Sequence, residues 1–156
     1  MENEDYKIIT LHDNKLKVYR DGRGIEKKNN ITKPYISTTG YYVTSLYSKE
    51  LKKCRTIKIH RIIAYTFLGL DIDNPKEVVD HIDRNKLNNN FTNLRIVTKQ
   101  QNAFNTNSKG YCFEKRRNNY QAQICINGKN IHLGVYKTEA CARYAYLTAK
   151  NHYHQF

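Results

Sequence analysis

Long apolar runs are missing from this sequence. No stretch approaches the roughly 18 consecutive apolar residues that a membrane-spanning helix needs, and the first ten residues, MENEDYKIIT, are acidic and unlike a secretion signal. The basic residues also form no amphipathic helix with a Trp or Phe face, which an anionic membrane surface would require. These absences predict a soluble protein that is not secreted and has no membrane partner.

Closely spaced cysteines are lacking as well. The four cysteines, Cys54, Cys112, Cys125 and Cys141, are widely spread and form no C-x-x-C pair. A zinc site or a disulfide framework needs closer, patterned spacing. We therefore expect reduced thiols, a cytosolic-type compartment and no zinc.

Basic residues, in contrast, are in large excess. The chain has 27 Lys and Arg against 14 Asp and Glu, a net charge of +13 over 156 residues. Because each neutralised phosphate releases counterions, such a charge favours a nucleic-acid partner over a surface that is charged for solubility alone. The length allows one ordinary domain or two small ones.

The first 69 residues predict a small antiparallel sheet that leads into a helix. Apolar and polar residues alternate loosely at 6–9 and 16–19, Asp21-Gly22 predicts a turn, and residues 27–30 predict a polar loop. Aromatic and β-branched residues predict a strand at 41–47, and a basic strand follows at 54–59. Residues 60–68 have helical apolar spacing, and Gly69 predicts the end of that helix.

An acid, an imidazole and carboxamides are concentrated in the segment from Val78 to Asn105. A short apolar strand ends at Asp80-His81, and an asparagine-rich loop, a second apolar strand and a helix start follow. An imidazole beside a carboxylate can act as a general base near neutral pH. A hard divalent cation prefers oxygen ligands, such as the Asp80 carboxylate and the amide of Asn102 on the helix. The carbonyl of Asn93 is expected to accept the imidazole N–H and fix its tautomer.

Two other interpretations of this segment were considered. An Asp-His pair is often purely structural, and the Asn run 88–90 is expected to be a solvated loop. A calcium-binding EF-hand loop is rejected, because it would place Pro75 or Leu87 where an Asp or Asn is needed.

The run from Ile59 to Asn105 closely resembles the HNH homing endonucleases of phages and mobile introns. The matching pieces are IHRIIAYTFL, VVDHIDRNKLNNN and NLRIVTKQQN. The resemblance implies a ββα-metal nuclease core that hydrolyses DNA phosphodiesters with one bound metal ion.

Carried over residue by residue, the resemblance gives each polar residue a role. His81 matches the general base that deprotonates the attacking water, and Asn93 matches the residue that orients the histidine. Asp80 and Asn102 match the ligands of a single Mg²⁺ or Mn²⁺ ion, which stabilises the charge on the phosphate and on the leaving oxygen. The last letter of the family name HNH refers to a second histidine, and this sequence has Asn102 at that position. Arg61, in the His60-Arg61 pair of the lead-in, is expected either to contact a DNA phosphate or to pack structurally.

Beyond a predicted linker at 106–110, the chain predicts a three-stranded sheet packed on one helix. Strands are expected to begin at 111, 120 and 130, and Asn127-Gly128 predicts a two-residue type I′ hairpin. Thr138 is the expected N-cap of a helix that runs through Lys150, with its Ala and Tyr residues on one face.

Residues 110–156 resemble the Apetala/ethylene-response-factor type of DNA-binding domain, through YQAQI, NGK-IHLG and the A-x-x-A-Y helix. Strand alternation turns the apolar residues towards the helix and leaves a polar face without acidic residues, Glu114 being the only one nearby. The resemblance implies that this face enters the major groove; the alternative is a solvated sheet face. The expected DNA contacts are Lys115, Arg116, Arg117, Gln121, Gln123, Lys129, Asn130 and His132.

The sequence therefore predicts an α+β protein with two domains, 1–105 and 111–156. It is expected to be a site-targeted, homing-type DNA endonuclease that acts on double-stranded DNA, nicks one strand, and works as a monomer, or as a dimer to cut both strands. It should be found in the cytoplasm or wherever its target DNA resides. The alternatives are a DNA-binding regulator with a decayed nuclease core and an RNA-directed nuclease.

Overall fold

A computed structural model describes residues 5–27, 30–32 and 34–153. The chain divides into two compact units, Met1–Thr98 and Lys99–Phe156. Each unit combines antiparallel strands with helix, so the predicted α+β class is confirmed.

The described residues of the first unit form three antiparallel sheets. Where the sequence predicted one small sheet before the helix, the structure has a four-stranded and a three-stranded one. The first contains β1 (Tyr6–Leu11), β2 (Asn14–Tyr19), β3 (Ile25–Lys27) and β4 (Asn30–Thr32). The second contains β5 (Tyr35–Ile36), β6 (Tyr42–Ser48) and β7 (Lys53–Lys58). The predicted polar loop at 27–30 is therefore in part strand, while Lys28 and Asn29 lie outside the described residues.

Helix α1 (Ile59–Leu68) is the centre of the apolar core of this unit. Its residues Ile59, Ile62 and Ile63 are almost completely buried, and they pack with Leu16 of β2 and Leu46 of β6. Burial of each such side chain stabilises the fold by about 1.5–3 kcal/mol. The helix ends as predicted at Gly69, which adopts a left-handed conformation with φ of 78°.

The third sheet is a ribbon of β8 (Val78–His81) and β9 (Leu94–Val97), as predicted. Val79 and Leu94 join the core around α1, which anchors both strands of the ribbon. Their register pairs Asp80 with Arg95 and His81 with Leu94.

The turn between β2 and β3 packs directly on the loop that joins β8 to β9. Gly22, with φ of 80°, lies so close that a Cβ there would stand 2.5 Å from the carbonyl carbon of Asn89. The N–H of Phe91 donates to the carbonyl of Arg20 at 3.0 Å. The Arg20 guanidinium also lies over the rings of Phe67 and Phe91, at 5.3 and 4.7 Å from their centroids. The four-stranded sheet therefore supports the loop of the ribbon.

The second unit begins with α2 (Lys99–Phe104) and continues into the predicted sheet and helix. The sheet contains β10 (Tyr111–Glu114), β11 (Asn119–Ile126) and β12 (Lys129–Tyr136), and α3 (Glu139–Tyr153) packs on it. Asn127 and Gly128 both have positive φ, as a type I′ turn requires. Thr138 accepts the N–H of Cys141 and so confirms the predicted cap, but α3 runs three residues past Lys150.

The segment 106–110, predicted as a linker, is held against α3 within this unit. Arg143 donates to the carbonyls of Ser108 and Lys109, and Lys150 donates to the carbonyl of Thr106 at 2.8 Å. Gly110 packs on the ring of Tyr146, where any Cβ would overlap it. The segment is thus a packed part of the second unit.

Two further features concern the surface. Among the described residues, no helix combines the length and the apolar character that crossing a membrane demands. All four cysteines are exposed and carry free thiols.

Candidate active site

Strand β8 brings Asp80 and His81 together at its end, and both side chains are buried, at 6% and 4% exposure. Consecutive strand residues point to opposite faces. Accordingly, Asp80 meets its cross-strand partner Arg95, whereas His81 meets the rings of Tyr41 and His60. Buried acid and imidazole groups are costly unless they are paired, so this concentration marks a candidate site.

Arg95 holds Asp80 through one carboxylate oxygen. Its Nε and Nη2 atoms both donate to Oδ2, at 2.9 and 2.7 Å. Charge-assisted bonds of this kind are among the strong ones. The sequence had given Arg95 no role, although its position opposite Asp80 follows from the pairing of the two predicted strands.

His81 is fixed by Asn89. The Nε2 atom of His81 lies 3.1 Å from Oδ1 of Asn89, whose side chain is itself buried. An amide oxygen only accepts, so the contact requires the imidazole proton on Nε2. That tautomer places the basic lone pair on Nδ1, the arrangement that a general base needs. Asn89 had been taken as part of a solvated loop, whereas the structure buries it against the β2–β3 turn.

Asn93 organises the loop and does not make the predicted bond to the imidazole. Its Oδ1 accepts the N–H of Asp83 at 3.0 Å, and its Nδ2 donates to Oδ1 of Asp83 and to the carbonyl of Asn88, each at 2.9 Å. Hydrogen bonds from Asn88, above all, and from Asn93 lower the pKa of the Asp83 carboxyl. Asn93 thereby ties both ends of the loop that carries Asn89, the hydrogen-bond partner of His81.

A cluster of rings surrounds His81 on the side of α1. The His60 ring meets the His81 ring edge-on at a centroid distance of 4.9 Å, and Tyr41 lies 4.9 Å from His60 and 6.0 Å from His81. Burial, followed by the charges of His81, Lys58 and Arg61, lowers the pKa of His60 from 6.5 to about 3. His60 is therefore a neutral packing partner of His81.

Arg61 uses both terminal nitrogens within the protein. Nη1 donates to the carbonyl of Glu77 at 3.1 Å, and Nη2 donates to the carbonyl of Ile72 at 2.8 Å. These bonds fasten the segment between α1 and β8 to the helix. The geometry favours the structural alternative for Arg61 over a contact with phosphate.

Asn102 lies in α2, at the start of the second unit, and is half-buried there. Asp80 and His81 belong to the first unit. The assignment of Asn102 as the second metal ligand stays a prediction.

The polar face of the second unit has the predicted composition with one correction. Cross-strand pairing puts Gln121, Gln123, Asn130 and His132 on the face opposite α3, while Ala122 and Ile124 are buried towards it. Glu114 also lies on that polar face, so the expectation of a face without acidic residues is wrong. It accepts a hydrogen bond from Gln121 and forms an ion pair with Arg117 at 3.8 Å. The flanking residues Lys115, Arg116 and Lys129 are exposed.

The first unit supplies one carboxylate ligand for a divalent cation beside His81, that of Asp80. Among the described residues, no three His, Cys, Asp or Glu side chains converge as metal ligands. The Asp80 carboxylate is nevertheless a hard oxygen donor beside the candidate base, and Mg²⁺ is commonly held by one or two carboxylates together with water and substrate phosphates. Asp80 therefore fits the predicted ion, although its Oδ2 also carries Arg95.

One segment of the chain matches a known family model. Residues 58–104 match the family model described as HNH endonuclease. The comparisons support the HNH endonuclease family. The HNH match includes β8, β9 and α2, and with them Asp80, His81, Asn93 and Asn102.

Two similar proteins come from a virus and from a phage. An uncharacterized HNH endonuclease, L245 of Acanthamoeba polyphaga mimivirus, is 39% identical over 105 residues, which are 65% of this chain and 27% of that protein. H-N-H endonuclease F-TflII of Escherichia phage T5 is 35% identical over 80 residues, 51% of this chain and 40% of that protein. The chain thus spans less than half the length of these relatives.

A solved structure extends the likeness to most of the chain. The structure described as DNA binding and cleavage by the HNH homing endonuclease I-HmuI matches with a TM-score of 0.54 at 26% identity. The match covers 87% of this chain and 80% of that one. This agreement supports the α+β fold of the chain.

Proposed function

We propose that the protein is a divalent-metal-dependent DNA endonuclease that nicks one strand of a chosen site in double-stranded DNA. The observation that carries the proposal is the buried Asp80–His81 pair, with His81 oriented by Asn89, inside the segment that matches the HNH family. The net charge of +13 supports a polyanionic substrate.

His81 would act as the general base. With its proton on Nε2 and held by Asn89, Nδ1 accepts a proton from the attacking water, which adds to the phosphorus and breaks the bond to the 3′-oxygen. Asp80 and Asn102 would hold a Mg²⁺ or Mn²⁺ ion, which when bound supplies positive charge for the phosphate and the leaving oxygen. Asn93 keeps the loop closed, so that Asn89 stays in reach of the imidazole.

The second unit would choose the site. Its exposed sheet face carries amides and an imidazole for base edges and basic side chains for phosphates, as an Apetala/ethylene-response-factor type domain would. Glu114 forms an ion pair with Arg117 and accepts a hydrogen bond from Gln121. These two side chains would have to leave Glu114 before they could contact DNA. One active site per chain fits a nick, and a double-strand break would take two chains or two successive cuts.

A plasmid relaxation assay tests the proposal. The full chain, incubated with supercoiled AT-rich plasmid and Mg²⁺ or Mn²⁺, should convert it to open circle. His81→Ala should lose about 10²- to 10⁴-fold in rate, the usual contribution of general-base catalysis. Equal plasmid conversion by the wild type and His81→Ala would overturn the proposal, and binding without any cleavage would favour the regulator alternative.

A further inference from the structure

Two lysines from separate segments converge on one tyrosine beside the candidate base. The ammonium of Lys58, at the end of β7, lies 4.2 Å from the centroid of the Tyr41 ring, and that of Lys86 lies 4.8 Å from it. Lys86 also donates to the carbonyl of Thr39 at 3.1 Å. Tyr41 immediately precedes β6 and Lys86 comes from the loop of the ribbon, so three parts of the first unit build the cluster.

Within the part of the chain that the structure describes, no carboxylate forms an ion pair with either lysine of this cluster. Burial, followed by the positive charges of Arg61 and Lys86, lowers the pKa of Lys58. Cation–π contacts are worth only about 0.5–1 kcal/mol at exposed sites and up to about 2 kcal/mol when desolvated, so the ring does not neutralise two cations. An anion placed between them would be attracted by both.

The position of the cluster beside the candidate base indicates which kind of anion would bind there. The Tyr41 ring contacts His60 and lies 6.0 Å from the His81 ring, so the lysines stand one side chain away from the candidate base. A nucleic-acid strand that presents its scissile phosphate to His81 carries further phosphates on either side, spaced along the backbone.

We propose that Tyr41, Lys58 and Lys86 form a subsite for a backbone phosphate next to the scissile one. This inference rests on the proposed nuclease function and adds a positioning site to it. Tyr41 keeps the two ammonium groups in place, and the ammonium groups fix the strand so that the bond to be cleaved lies at His81. The contact is to the backbone and is therefore independent of base sequence.

The salt dependence of DNA binding measures such contacts directly. The full chain is titrated with a 30-base-pair duplex in EDTA at several salt concentrations, and the slope of log K against log salt is compared among variants. Loss of one phosphate contact should reduce the magnitude of the slope by about 0.9. We expect this reduction for Lys58→Met and for Lys86→Met, with a raised KM in plasmid nicking, while Lys86→Arg keeps the wild-type slope.

Lys76→Met is the matched control, because Lys76 is an exposed lysine of the same unit in the segment between α1 and β8. It should leave both the slope and nicking unchanged. If the wild type nicks DNA and Lys58→Met and Lys86→Met, folded by circular dichroism, keep its slope as Lys76→Met does, the subsite is refuted and the nuclease stands. A wild type that neither binds nor nicks duplex DNA would overturn both proposals.

Discussion

The Nε2 atom of His81 lies 3.1 Å from Oδ1 of Asn89, within a loop whose two ends are tied by Asn93. The candidate base is therefore oriented by a residue eight positions along the chain. Asn93, immediately before the opposite strand, contacts the loop and not the imidazole. This division of roles makes the two asparagines experimentally separable.

Asn89→Ala should lower the rate of plasmid nicking about tenfold, because loss of a hydrogen bond worth about 0.5–1.5 kcal/mol leaves the imidazole in several orientations. The effect should fall on kcat more than on KM, since Asn89 is buried and contacts the imidazole. Asn85→Ala, an exposed position in the same loop, is the control and should retain the wild-type rate. A wild-type kcat for Asn89→Ala would show that His81 is oriented by other contacts.

Gly22→Ala should disturb the active site from a distance. Both Gly22 and Gly69 have left-handed φ, of 80° and 78°, so either substitution incurs a backbone cost of about 1–2 kcal/mol. At Gly69 a Cβ meets nothing within 4 Å, whereas at Gly22 it lies 2.5 Å from the backbone of Asn89.

Gly22→Ala is therefore expected to reduce nicking more than Gly69→Ala does, at a comparable or larger loss of thermal stability. The comparison requires melting temperatures and nicking rates of both variants. Equal nicking by the two would mean that the β2–β3 turn does not control the loop.

Acid should destabilise the first unit through His60. Its pKa is about 3 in the folded state and 6.5 in the unfolded chain, so between these values the unfolded state binds one more proton. The free energy of unfolding consequently decreases as pH falls from 6.5 towards 3, by up to about 1.4 kcal/mol per pH unit. Urea denaturation followed by circular dichroism at pH 6.5, 5.5 and 4.5 measures this slope, and His60→Leu should flatten it. An identical slope in the variant would assign the acid sensitivity to other groups.

Arg95→Met should strengthen metal binding by the free protein. Arg95 donates two hydrogen bonds to Oδ2 of Asp80, and a cation bound at that carboxylate must compete with it. Because hydrogen bonds to charged groups are worth about 1.5–3 kcal/mol, removal of Arg95 is expected to tighten Mn²⁺ binding about tenfold.

Electron paramagnetic resonance of free Mn²⁺, in the absence of DNA, measures this affinity. Arg95→Lys, which keeps the charge, should stay near the wild type, and Asp80→Asn should weaken binding. Weaker Mn²⁺ binding by Arg95→Met would show that Arg95 supports the metal site.

The elements of the fold that were predicted from sequence are those with a local pattern. The apolar spacing of α1 and its end at Gly69, the alternation in β11 and the Asn127-Gly128 turn depend on neighbouring residues, and the structure confirms them. Asp80 and His81 were predicted as site residues because they are adjacent at the end of an apolar strand.

The residues that sequence missed act through contacts between distant segments. Asn89 is buried because Gly22, more than sixty positions earlier, allows close approach of another turn. Lys58 and Lys86 meet only because Tyr41 lies between their segments. The sequence left Arg61 open between a phosphate contact and a structural role, and in the folded unit its guanidinium donates to two neighbouring carbonyls.

The four exposed thiols allow the two units to be followed separately. Cys54 lies on β7 of the first unit, whereas Cys112 and Cys125 lie on the polar sheet face of the second and Cys141 lies on α3. Alkylation by a small maleimide, read by mass spectrometry with and without duplex DNA, would therefore map the bound surface without any substitution. Protection of Cys112 and Cys125 with continued labelling of Cys141 would identify the sheet face as the one that DNA covers.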